Sequence, residues 1–217
     1  MERQLSIPIY ATAFIISVMI FVTGVYVGNL IDKSNLQDIS GEVSSISNKV
    51  ASVQLLLLME GNSSSFCPVY LSELDSIDDE VERVGYKLSY LEDQKQVYDQ
   101  DLKKQYFVLE AESYLLSKKV KELCGDKSAL LIHFYSNKAC TNCKQQGIEI
   151  LKMRDDLSSR NITVKLFSLD GDLGSPVADA FKSQYSVTAY PSVVINGRTY
   201  SGYRNAEELK QLITEPS

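Results

Sequence analysis

No charged side chain occurs between Arg3 and Asp32, and from Ile7 to Ile31 the chain reads IPIYATAFIISVMIFVTGVYVGNLI. A hydrocarbon core of ~30 Å needs about 20 apolar helical residues, so residues 7–31 are long enough to span a membrane with some tilt. Pro8 falls in the first turn, where a missing N–H costs little. A cleaved signal peptide should have a shorter apolar region ending in a small-x-small site. None stands near Gly24–Asn29, so an uncleaved anchor is the reading adopted. Gly24 and Gly28 form a G-x-x-x-G, a spacing that lets two helices approach closely, and they are candidates for a homodimer contact.

The 217 residues carry 22 Lys+Arg against 28 Asp+Glu, a net charge of −6. The surplus is local: residues 32–125 hold ten basic and seventeen acidic side chains, residues 126–217 eleven and ten. No segment is a basic footprint of the kind that holds phosphate backbones, which argues against nucleic-acid binding. One His and four Cys, with a single close pair among them, make a poor zinc set, since structural sites need four clustered ligands. No metal site is expected.

Residues 32–125 carry heptad seams. Leu36, Ile39, Val43, Ile46, Val50, Val53 and Leu57 recur at alternating steps of three and four, the pattern of an a/d stripe. The run Gly61–Ser65 interrupts it. A second seam runs through Leu74, Ile77, Val81, Val84, Leu88 and Leu91. A third runs through Leu102, Tyr106, Leu109, Ser113, Leu116, Val120 and Leu123, with Gly125 as its stop. Three amphipathic helices in a coiled-coil stalk, with a hairpin near Asp93–Asp101, account for this most simply. The rival is one helix from about residue 70 to 123, because no Pro interrupts it. In an up-down-up path Cys67 and Cys124 come to the same end, and a disulfide between them is hypothesised. Buried free thiols, or a pair relaying electrons to the second cysteine pair, are the alternatives. Asn62-Ser63-Ser64 and Asn161-Ile162-Thr163 fit the glycosylation pattern, which short stretches meet by chance.

The chemistry lies in residues 126–217. Ala129–Tyr135 reads as a buried strand, followed by a polar turn and then Cys140-Thr141-Asn142-Cys143, which opens a helix to about Ser159. Residues 162–169 read as a second, parallel strand. Residues 175–184 form a helix, the Asn196-Gly197 turn joins a hairpin, and Asn205 caps a last helix. The order is β-α-β-α-β-β-α.

With a C-x-x-C where the first strand hands over to the first helix, Thr188-Ala189-Tyr190-Pro191 before the hairpin, and Gly202 after it, residues 126–217 resemble the thioredoxin-like superfamily. The fold class expected is α/β: a C-terminal thioredoxin-like domain (126–217) on a helical stalk (32–125) with one N-terminal transmembrane helix (1–31). A helix N-terminus favours the thiolate of the first cysteine. The expected roles are attack by Cys140 on a substrate disulfide and resolution by Cys143, with no organic cofactor.

The resemblance further implies that Tyr190–Pro191 is a cis peptide beside the pair and that the Tyr190 backbone pairs with substrate. Many relatives carry a buried acid in the first strand. Allowing one inserted residue, His133 falls there, and it is a candidate proton acceptor for Cys143 or simply a satisfied buried histidine. The sequence departs from the familiar pattern in Ala139, where a Trp is common, and in Thr141-Asn142, so direction of electron flow cannot be read by analogy. Lys144 adds positive charge after the pair or is a plain surface residue.

The function expected is a membrane-anchored thiol-disulfide oxidoreductase acting on exported proteins with thiols or disulfides. It would be recharged by a membrane redox partner, a quinone-linked oxidase or a transmembrane electron carrier. Charges flanking the anchor leave orientation open. Cysteine usage places the bulk of the chain outside the cytoplasm. The alternatives are a redox-inactive binding module on a tethered scaffold and a cytoplasm-facing reductase.

Overall fold

The computed structural model describes residues 7–60, 64–138 and 140–215. They divide into two compact units, Met1–Gly41 and Glu42–Ser217. The first helix, α1 (Ile7–Glu60), is continuous for 54 residues and contributes to both. The apolar anchor and the first seam lie on this one helix. They join because nothing between Ile31 and Leu36 breaks a helix, and Gly41 costs only about 1 kcal/mol.

In the first unit, Tyr10–Gly28 is apolar, charge-free and long enough to cross a membrane, a description that suits a membrane span or a signal sequence. A Cβ added at Gly24 or Gly28 would meet nothing within 4 Å. Arg3, which precedes the anchor, lies outside the described residues, as do Asn62 of the first glycosylation pattern and Ala139 before the cysteine pair.

In the second unit, α1 buries Val43, Ile46, Val50 and Val53, four consecutive positions of the first seam. A short 3-10 turn (Ser64–Phe66) leads into α2 (Cys67–Lys95), which buries Leu74, Ile77, Val81, Val84, Leu88 and Leu91. Helix α3 (Gln100–Cys124) follows after a tight turn. Gln96 ends α2 in the left-handed region (φ 55°). Asp99 then caps α3, its carboxylate accepting from the Asp101 and Leu102 N–H groups. That satisfies donors a helix start leaves unpaired. Gly125 (φ 67°) closes α3 and returns its N–H to the Lys121 carbonyl. The hairpin is thus a two-helix element, with Lys49–Glu80 and Lys87–Glu42 (2.5 Å) tying α1 to α2.

The remaining chain runs β1 (Ala129–Tyr135), α4 (Cys143–Ser158), β2 (Val164–Asp170), α5 (Pro176–Gln184), β3 (Ser192–Ile195), β4 (Arg198–Ser201) and α6 (Ala206–Thr214). The sheet order is β2-β1-β3-β4. β1 pairs parallel with β2 and antiparallel with β3, and β3 pairs antiparallel with β4. Ser175 and Asn205 cap α5 and α6, the latter with a reciprocal Glu208 bond.

Side chains alternate across the sheet. Leu130, Ile132, Phe134, Phe167 and Leu169 form one core with Phe181 of α5. Ala129, Leu131, Val164 and Val193 form the other with Ile150 and Met153 of α4 and Leu209 of α6. Phe107, Ala111 and Tyr114 of α3 belong to the first core, so packing runs without interruption across residues 125 and 126. The Tyr114 and Tyr185 hydroxyls share a buried 2.7 Å hydrogen bond. Helix α3 therefore has two apolar faces, one seam-like and one turned to the sheet.

Candidate functional site

Cys140 and Cys143 form a disulfide with Cα atoms 5.6 Å apart. The helix begins later than the spacing predicts: Cys143 is its first residue and Cys140 precedes it. Asn142 (φ −108°, ψ 7°) lies outside helical geometry, so the helix cannot extend back to Cys140. Cys143 is 5% exposed, whereas Cys140 is only half-buried. The Ser136 N–H donates to the Cys143 sulfur at 3.4 Å.

The loop before the pair is held by two carboxylates at the end of β2. Asp172 Oδ2 accepts from the Ser136 hydroxyl (2.9 Å), the Asn137 N–H (2.8 Å) and the Lys138 N–H (3.1 Å). Asp170 accepts from the Asn137 side chain at 3.1 Å and from Lys103 at 3.0 Å. Lys103 also bonds Glu92 at 2.9 Å. Burial works against the Lys103 ammonium, but Glu92 and Asp170 outweigh it and raise its pKa. A helix outside the sheet layer thus ties down the turn that carries the cysteines.

Behind the pair lies a cavity of about 870 Å³. Its floor includes His133, Tyr135 and Ser168, and its walls come from α2, α3 and α4. Cys140, Thr141, Lys144 and Asp93 also line it, with the exposed Lys144 and Asp93 side chains paired at 2.7 Å. The structure thus brings Cys140, Cys143 and His133 to one cavity. Tyr190 and Pro191, joined by a cis peptide, precede β3 and are not among its lining residues. The Tyr190 hydroxyl instead sits 2.0 Å from where a Cβ on Gly171 would stand, so a larger residue there would require the Tyr190 ring to shift.

His133 is 5% exposed and its Nε2 has no partner. Burial pushes its pKa down to about 4, so the ring is neutral at pH 7. Glu110 of α3 is 3% exposed. Burial pushes its carboxyl up to about 8, despite the Tyr106 hydroxyl donating to Oε1 at 2.5 Å, and Oε2 is unpartnered. Asp78 rises to about 6 because burial outweighs its 2.6 Å contact with Lys165. Arg154 of α4 grips Glu82 of α2 through two bonds, of 3.0 and 2.7 Å.

At the far end of the hairpin Cys67 and Cys124 are joined, Cα to Cα 5.5 Å, closing 57 residues. Among the described residues no group of three or more His, Cys, Asp or Glu could hold a metal ion.

Glu110, Lys103, Asp170 and Asp172 were not singled out from the sequence. A signal existed: Lys103, Tyr106, Glu110, Ser113 and Ser117 recur at steps of three and four, a polar stripe between the two apolar faces of α3.

Neither a protein-family model nor a curated protein sequence matches the chain. Among solved structures it is similar to thioredoxin-2 of the malaria parasite, described as a component of the protein secretion machinery. The identity is 20% over 40% of this chain and 81% of the other, with a TM-score of 0.32. It is also similar to the first thioredoxin domain of mouse protein disulfide-isomerase A4, at 24% identity over 44% of this chain and 68% of the other, also with a TM-score of 0.32. By its own strand order and helix placement, the sheet portion of this chain has a thioredoxin-like fold.

Proposed function

We propose that the chain is a membrane-anchored thiol-disulfide oxidoreductase acting on exported proteins. The observation that carries this reading is the unequal exposure of a bonded C-x-x-C pair: Cys143 is buried at the helix start while Cys140, before the helix, is only half-buried.

In the oxidising direction a substrate thiolate attacks Cys140 Sγ, and the intramolecular S–S bond breaks. Cys143 leaves as a thiolate and takes up a proton. A second substrate thiolate then attacks the substrate sulfur of the mixed disulfide and releases Cys140 as thiolate. Two electrons pass from substrate to the pair. The reverse sequence reduces a substrate disulfide, with Cys140 as nucleophile and Cys143 as resolving thiol. Neutral His133, with Nε2 open, accepts the Cys143 proton in that direction. The Tyr190 backbone, next to Pro191, pairs with the substrate chain. Cys67–Cys124 is structural, and the helices before the sheet act as a coiled-coil stalk. The span Tyr10–Gly28 supports the anchoring, and Gly24/Gly28 supply a homodimer contact within the membrane. Recharging falls to a membrane redox partner, a quinone-linked oxidase or a transmembrane electron carrier.

The test is turnover of a disulfide-bonded protein such as insulin, and of dithiothreitol, by the full chain in detergent, compared with Cys140→Ser. Turnover that the substitution abolishes is expected. Absence of turnover in both directions leaves a tethered binding module instead. Labelling of Cys140 by a membrane-impermeant thiol reagent on intact cells, after reduction, tests the orientation.

A further inference from the structure

We infer that the cavity behind Cys140 is a substrate subsite selecting polypeptides with a basic side chain close to the reacting cysteine. This rests on the oxidoreductase reading above and names its substrate class.

The volume, about 870 Å³, lies within the range of ligand-binding clefts. What it asks for follows from its charges. Each of the four cations in its lining is already committed to lining carboxylates: Lys165 to Asp75 and Asp78, Arg154 to Glu82, Lys103 to Glu92, and Lys144 to Asp93. Asp79 and Asp155 at the rim and Glu110 inside make no ion pair among the described residues. The cavity is therefore short of positive charge.

Inside it, Glu110 Oε2 and His133 Nε2 are buried and unpartnered. A buried carboxyl without a counter-ion is costly to ionise and stays protonated. An incoming ammonium or guanidinium would let Glu110 ionise and would give its open Oε2 a hydrogen-bond donor. An acidic flank would meet Glu82, Asp79 and Asp155 as like charges, and an apolar flank would leave Glu110 unpaired. Glu110 feels the Tyr106 hydroxyl from its own helix, the Ser168 backbone from β2, and the carboxylates of Asp78 and Glu82 from α2; His133 and Tyr135 from β1, Lys103 from its own helix, Lys165 from β2 and Arg154 from α4 line the same cavity. Every cation among them is paired, so the missing charge must come from the substrate.

The experiment uses the full chain in detergent. Peptides of equal length with one cysteine and Lys, Ala or Glu at positions within four residues of it are compared for the rate of mixed-disulfide formation with Cys140. The Lys peptides should react about tenfold faster than the Glu peptides, the scale of a charge-assisted contact. That ratio should fall toward one in Glu110→Gln, and to a smaller degree in the rim variant Asp79→Asn/Asp155→Asn, which leaves the buried group intact. Equal rates for the three peptides, with dithiothreitol still oxidised, overturn the subsite and leave the oxidoreductase reading standing. A preference undiminished in both variants overturns the assignment to this cavity. Absence of dithiothreitol oxidation as well removes the underlying reading.

Discussion

The two disulfides of this chain are the same bond set in opposite surroundings. Cys67–Cys124 staples the ends of a helical hairpin and closes 57 residues. Cys140–Cys143 spans three residues beside a polar cavity. The first restricts the unfolded chain and the second constrains almost nothing. Under the proposed function the long-loop bond serves stability, and the short one, next to unpartnered buried groups, serves chemistry.

The sharpest way to break that contrast is exchange. Cys140→Ser should drop turnover to background while leaving thermal unfolding nearly unmoved. The double variant Cys67→Ser/Cys124→Ser should lose about 4 kcal/mol in denaturant unfolding, the chain-entropy value for a loop of this length, and keep turnover in its folded fraction. If the second variant also loses turnover while folded, the long-range pair is part of the electron path.

Next in size is a pH effect confined to the cavity. Burial depresses the His133 pKa from 6.5 to about 4. The unfolded chain therefore binds the extra proton first, and the stability this group contributes is complete above pH 6.5 and lost as pH falls toward 4. At pH 4 the loss should amount to roughly 3 kcal/mol, and His133→Gln should flatten it. Glu110 acts on the other limb. Its folded pKa of about 8 stands above the usual 4.5, so stability falls as pH rises from 4.5 through 8, and Glu110→Gln should remove that slope. Unfolding measured across pH 4–9 reads both.

A smaller effect tests whether α3 is part of the sheet core. Tyr114→Phe leaves the Tyr185 hydroxyl unpaired and should cost about 1–3 kcal/mol, read by denaturant midpoint. The smallest concerns the Arg154–Glu82 clasp across the cavity. Glu82 is 39% exposed at its side chain, so solvent screening limits the pair, and Glu82→Gln should cost below about 1 kcal/mol.

The hairpin seams were legible because a heptad stripe repeats often enough to be read from spacing alone. Every expected position of α2 from Leu74 to Leu91 is buried. The order of elements after residue 126 was legible because turn and cap residues punctuate short strands: Asn196-Gly197, Asn205, and Pro191 before β3. What could not be read was where the third helix goes. Its seam explains Leu109 and Leu116, but Phe107, Ala111 and Tyr114 answer to a sheet that lies after it in the chain. Ser113, a flaw in the seam, is nevertheless fully buried. The cavity was invisible for the same reason. Glu110 looks like a solvated helix residue until β2 and α2 close around it. The helix start was misplaced by three residues because Cys140 and Cys143 share a motif but not a backbone conformation.

Because Phe107, Ala111 and Tyr114 cover one face of the sheet, a soluble fragment cut at residue 126 on the basis of its motif would be a poor reagent. It would present Phe134, Phe167 and Phe181 to water, lack the ammonium that steadies Asp170, and invite aggregation. Inactivity of such a fragment would say little about the intact protein. Any excised piece intended for assay should begin ahead of residue 42 and keep the hairpin.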